Sequence, residues 1–75
     1  MKLEEFVEAF AAEFQETSAD QFKADTVYKS LDEWGSLTAL SIIAMVDEMF
    51  DKTITGENLR SCNTIADLYD LVETL

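Results

Sequence analysis

Seventy-five residues with 16 acids against 5 bases carry a net charge of −11, and 48% of them are apolar, with one cysteine and no histidine. A chain of this length hides only about 60% of its unfolded surface, so a thin core and a single domain over residues 1–75 are expected. The charge opposes nucleic acid, whose phosphates need Lys and Arg, and the missing histidine excludes Ser-His-Asp or Cys-His machinery and a Cys/His zinc site.

Carboxylates alone would need a deep cleft to act as catalysts, and a chain this short is a poor host for one, so no enzyme is expected. Cys62 has no partner within the chain, which points to a reducing, cytoplasmic compartment. The opening run Met1-Lys2-Leu3-Glu4-Glu5-Phe6 is acidic and amphipathic, unlike a signal peptide. Nothing approaches the roughly 18 uninterrupted apolar residues of a membrane span. The acid excess fits two roles, steering of basic protein partners or simple solubility of a monomer.

Leu3, Phe6, Val7, Phe10 and Phe14 recur at helical spacing with Glu4, Glu5, Glu8 and Glu13 opposite them. This spacing predicts an amphipathic helix over about residues 2–16 whose phenylalanine stripe is core. Periodicity then fails over residues 17–35, which predicts a long ordered loop pinned by Phe22, Val27, Tyr28 and Leu31. No period-two alternation or hairpin signal asks for a strand.

A second helix is expected over residues 36–50, with Ala39, Ile42, Ile43, Val46 and Phe50 on its core stripe. Leu37, Leu40, Ala44 and Met45 fall outside that stripe. Either the loop wraps some of them, or they are single exposed apolar residues without meaning, or they form a docking face rimmed by Asp47, Glu48 and Asp51. Asp51-Lys52-Thr53-Ile54-Thr55-Gly56 brushes a calcium-loop pattern, but the twelfth position is Cys62 where a bidentate Glu is needed, so no metal is expected. A short helix is predicted over about residues 57–61 with Leu59 inward. Thr64-Ile65-Ala66-Asp67 reads as a capping box with Asp for Glu, and Asn63 is the alternative cap. The last helix buries Ile65, Leu68, Tyr69, Val72 and Leu75. The sum is all-α: a four-helix bundle of three principal helices and one short one, with a long loop between helices 1 and 2.

Ser36 has three readings. As a helix-opening serine it is an ordinary N-cap. As a nucleophile it fails, because Gly35-Ser36 lacks the rest of a Gly-x-Ser-x-Gly elbow and no base exists. As a serine modified by other enzymes it is well placed, since a helix N-terminus suits an attached phosphate.

Over essentially its whole length the chain resembles the acyl carrier proteins. The resemblance rests on the amphipathic first helix, the long loop, Gly35-Ser36-Leu37, and a second helix ending Val46-Asp47-Glu48-Met49-Phe50-Asp51. Ile54, the short third helix and Asn63-Thr64-Ile65 complete it. In that family the serine of Asp-Ser-Leu takes 4′-phosphopantetheine from coenzyme A and holds acyl groups as thioesters; carried over, it is Ser36. The resemblance implies a non-catalytic carrier in fatty-acid or related acyl (polyketide or specialised lipid) biosynthesis. Its partners would be a phosphopantetheinyl transferase and acyl-activating, condensing and acyl-transfer enzymes with basic docking patches. The docking residues would be Leu37, Leu40, Met45, Asp47, Glu48 and Asp51. An acyl pocket would draw on Ala39, Ile42, Ile43, Val46, Ile54, Leu59, Leu68 and Tyr69, with Cys62 nearby. The chain departs from the family at Gly35, where Asp is usual, and Trp34 is also unusual, either packing on the loop or lining the path of the arm. A peptidyl or aminoacyl carrier with the same arm is one alternative. An unmodified acidic interaction domain, with Ser36 only a cap, is the other.

Overall fold

Phe6, Phe10 and Phe14 stand one helical turn apart, and their rings are the centre of the core in the computed structural model, which describes residues 2–75. Met1, the first residue of the acidic opening run, lies outside the described residues. Four helices form: α1 (Leu3–Ala12), α2 (Ser36–Phe50), α3 (Gly56–Ser61) and α4 (Ile65–Thr74). No strand is present among the described residues, only one antiparallel bridge between Val27 and Thr64. No helix among them is long and apolar enough to cross a membrane. α1 touches both α2 and α4, and α2 touches α3.

α1 is shorter than its phenylalanine spacing predicts. It ends at Ala12, and Phe14 stays buried on a turn held by Glu13 N–H to Phe10 O (3.2 Å) and Phe14 N–H to Ala11 O (3.0 Å). The cause lies far along the chain. The Glu33 carboxylate accepts from the N–H groups of Gln15 (3.1 Å), Glu16 (2.9 Å) and Thr17 (2.6 Å) and from the Thr17 hydroxyl (2.6 Å). Those N–H groups would otherwise have to find helical carbonyls.

The same bonds hold the Glu33 pKa below its ordinary value: the Thr17 hydroxyl leads, the cost of burial opposes it, and the backbone donors of Glu16, Gln15 and Thr17 add to the lowering. A folded pKa below the unfolded one means the carboxylate stabilises the fold above about pH 4.5 and ceases to as pH falls through the lowered value. Glu33→Gln is therefore expected to lower the urea midpoint at pH 7, and to lower it by less at an acid pH well below 4.5. A gap of the same size at both pH values would assign the effect to packing instead.

The loop between α1 and α2 carries two 3₁₀ turns, Ala19–Gln21 and Tyr28–Ser30, and acts as a set of caps. Tyr28 is fully buried, with its hydroxyl 2.5 Å from the Leu59 carbonyl and 3.1 Å from that of Cys62. These are carbonyls at the end of α3 that no helical N–H can reach. Burial first, then Cys62 and Asp67, push the Tyr28 pKa far upward, so the phenol stays a donor. Thr26 O and Ala24 O accept from Ile65 N–H (3.1 Å) and Ala66 N–H (2.8 Å), covering the start of α4. Val27, expected as an apolar anchor, is 45% exposed and contributes its backbone bridge to Thr64 instead. Phe22 is buried and Leu31 half-buried, as expected of anchors.

α3 and α4 both begin with reciprocal caps. Thr64 Oγ1 accepts from Asp67 N–H (3.0 Å) while the Asp67 carboxylate accepts from Thr64 N–H (3.0 Å), as the sequence predicts. Thr55 and Asn58 make the same exchange at α3 (3.1 and 2.9 Å). At the other end of α2, Asp51 adopts a left-handed conformation (φ 56°, ψ 40°) and donates to Asp47 O (3.2 Å), closing the helix.

Candidate functional site

α2 starts where the loop's last hydrogen bonds release the chain. Thr38 Oγ1 donates to Glu33 O (2.7 Å), and Ala39 N–H donates to Gly35 O (2.9 Å) as the first helical bond. Gly35 is thus the N-cap, and Ser36 is the first residue inside the helix. Of the three readings of Ser36, the capping one does not hold: its exposed hydroxyl makes no hydrogen bond among the described residues. The N–H groups of Ser36, Leu37 and Thr38 have no helical carbonyl to reach.

A cleft of about 270 Å³ opens beside Ser36, between the start of α2 and α3, with Trp34, Ala39 and Leu59 as its apolar lining and Lys29 and Arg60 as its cations. Trp34 serves two purposes the sequence presents as alternatives. Its ring stacks on Phe10 (6.3 Å, 5°) and meets Tyr28 edge-on (4.9 Å, 60°), and it also lines the cleft. A larger depression of about 560 Å³ lies between the end of α1 and the loop. It is lined largely by polar groups, and its Glu33 carboxylate is already occupied by four donors.

Gly35 has an extended backbone (φ −174°, ψ −173°) open to any residue, and a Cβ there would meet nothing within 4 Å. The glycine is not needed for shape. Gly35→Asp is accordingly expected to add a few tenths of a kcal/mol by capping the free N–H groups of α2. Urea denaturation measures it, and a loss of about 1 kcal/mol or more would show that the position demands glycine after all.

The outer face of α2 carries Leu37 (81% exposed), Leu40 (61% exposed) and Ala44, followed by exposed Asp47, Glu48 and Asp51. Met45 does not belong with them. It is 3% exposed and part of the core, because α1 and α3 approach α2 from two sides and bury a wider arc than one stripe. Met49, which the spacing argument passes over, is exposed on a different flank. Of the eight expected pocket residues, Ala39 and Leu59 line the cleft; Ile42, Val46, Ile54, Leu59 and Leu68 are buried in the core, and Ala39, Ile43 and Tyr69 are half-buried around it. Cys62 is buried with a free thiol. No group of three or more acidic or cysteine side chains among the described residues could hold a metal ion.

Comparison with protein-family models, curated proteins and solved structures returns no match for this chain.

Proposed function

We propose that this protein is an acyl carrier protein, a non-catalytic four-helix bundle that bears 4′-phosphopantetheine on Ser36. The observation that carries the reading is the state of that serine: exposed, free of any capping duty, and standing at the mouth of a cleft. The surroundings fit a phosphate-linked arm. Approach past Gly35 is open, and three backbone N–H groups at the start of a 15-residue helix are available to an anion.

In the attachment step a bond forms from Ser36 Oγ to the 4′-phosphate phosphorus of coenzyme A, the pyrophosphate bond breaks, and 3′,5′-ADP leaves. With no histidine in the chain, the base that takes the hydroxyl proton belongs to the transferase. Once bound, the arm supplies the thiol on which acyl groups ride as thioesters. The chain's own residues present the arm: Leu37 and Leu40 offer apolar contact, and Asp47, Glu48 and Asp51 a negative rim for basic enzymes.

The test is direct. Incubation with coenzyme A and several phosphopantetheinyl transferases is expected to add one phosphopantetheinyl group per chain, read by intact mass. An unchanged mass with every transferase would overturn the reading.

A further inference from the structure

The chain has five bases, and two of them, Lys29 and Arg60, line the cleft beside Ser36. In a molecule of net charge −11 that is a local reversal of sign. The fold uses only part of this charge. Lys29 Nζ donates to the Arg60 carbonyl (2.9 Å), which fixes the ammonium at the end of α3 and leaves two of its hydrogens uncommitted. The Arg60 guanidinium lies back along α3, with Nη1 3.4 Å from where a Cβ of Gly56 would stand. Neither side chain pairs with a carboxylate among the described residues. Two uncompensated cations on a cleft whose other lining is an indole, a methyl group and an isobutyl group, with Gly35, Gly56 and Ser36 itself, define a ligand with an anionic head and a compact apolar body.

We propose that Lys29 and Arg60 hold the phosphodiester at the root of the arm, and that Trp34, Ala39 and Leu59 receive its gem-dimethyl segment. This rests on the carrier reading and adds to it a resting position for the arm. At about 270 Å³ the cleft is below the size that encloses a drug-sized ligand, so it takes the segment next to the serine and leaves the thiol end outside. The arm is then docked at its base and free at its tip, where partner enzymes must reach it. Charge selects the root: the charged side chains lining the cleft are these two cations and no acid, and they add to the N–H groups at the start of α2 in attracting a diester on Ser36.

The experiment compares phosphopantetheinylated wild type with Arg60→Gln and Lys29→Gln/Arg60→Gln, each confirmed by intact mass and by far-UV circular dichroism. Arg60→Gln alone removes no hydrogen bond of the fold among the described residues, since only the backbone of Arg60 is engaged. Trp34 is the single tryptophan, so its emission reports on the cleft without a label. In wild type, modification is expected to shift that emission, and proton NMR is expected to show cross-relaxation between the arm's methyl groups and the indole. Both signals should fall in Arg60→Gln and vanish in the double variant. Signals absent from modified wild type, or of undiminished size in the double variant, would overturn the resting position while leaving the carrier reading intact. No modified protein with any transferase would overturn the carrier reading, and this inference with it.

Discussion

Ser36→Ala is expected to take phosphopantetheinyl incorporation from one group per chain to none, with the urea midpoint nearly unmoved. The two halves of that result have separate causes. Incorporation is lost because Ser36 carries the exposed hydroxyl at the cleft and α2 offers no second one beside it: Thr38 is half-buried, with its hydroxyl committed to Glu33 O (2.7 Å). Stability is kept because the Ser36 side chain makes no hydrogen bond among the described residues, and alanine is the better helix former at a first-turn position. The change should stay within about 0.5 kcal/mol. A capping serine would behave differently, costing about 1 kcal/mol on replacement. Intact mass and a denaturation curve on the same sample decide the matter. A retained label would place the modification elsewhere, and a loss near 1 kcal/mol would return the hydroxyl to a structural role.

Phe10→Ala should have the largest effect on folding. Phe10 is fully buried, and its ring lies 5.5 Å from Tyr28, 5.6 Å from Phe14, 6.2 Å from Phe22, 6.3 Å from Trp34 and 6.4 Å from Phe6. It is the point where α1 meets the loop that delivers Ser36. Truncating a buried phenylalanine costs about 3–5 kcal/mol. A domain of 75 residues has in all roughly 4–11 kcal/mol. The variant should therefore be partly or wholly unfolded at room temperature, with Trp34 emission shifted to the red. Phe10→Leu, which keeps most of the volume, should lose about half as much. A denaturation midpoint for Phe10→Ala close to wild type would mean that the aromatic cluster does not hold the loop.

The contrast between these two residues reflects what a sequence can express. Helix α2 is legible from Ser36 to Phe50 because its apolar residues repeat at the right interval and Asp51 follows. The capping box at Thr64 is legible for the same reason: both partners lie within one turn. The Thr55–Asn58 box has the same local form, and accepting Asn in the last position would have found it. What escapes is whatever depends on chain segments meeting from afar. Phe14 keeps the helical interval, yet α1 stops at Ala12 because Glu33 collects the N–H groups of residues 15–17. Met45 lies off the predicted stripe and is buried because α2 has neighbours on two sides. Lys29 and Arg60 are 31 residues apart in the chain, and only the folded loop places them on one cleft.

Asp51 has a further consequence for the far end of α2. A left-handed backbone costs an ordinary residue about 1–2 kcal/mol and glycine almost nothing. The negative pole of the helix lies there too, with Asp47, Glu48 and Asp51 crowded against it and no base in the last turn. A glycine would relieve the backbone cost at this end and a lysine the crowding of charge. The isolated protein is thus frustrated at a place that faces solvent. A cationic surface laid against that end would offset the crowding of charge, though not the backbone cost, so for any such surface part of the attraction is present in the free chain before the two meet.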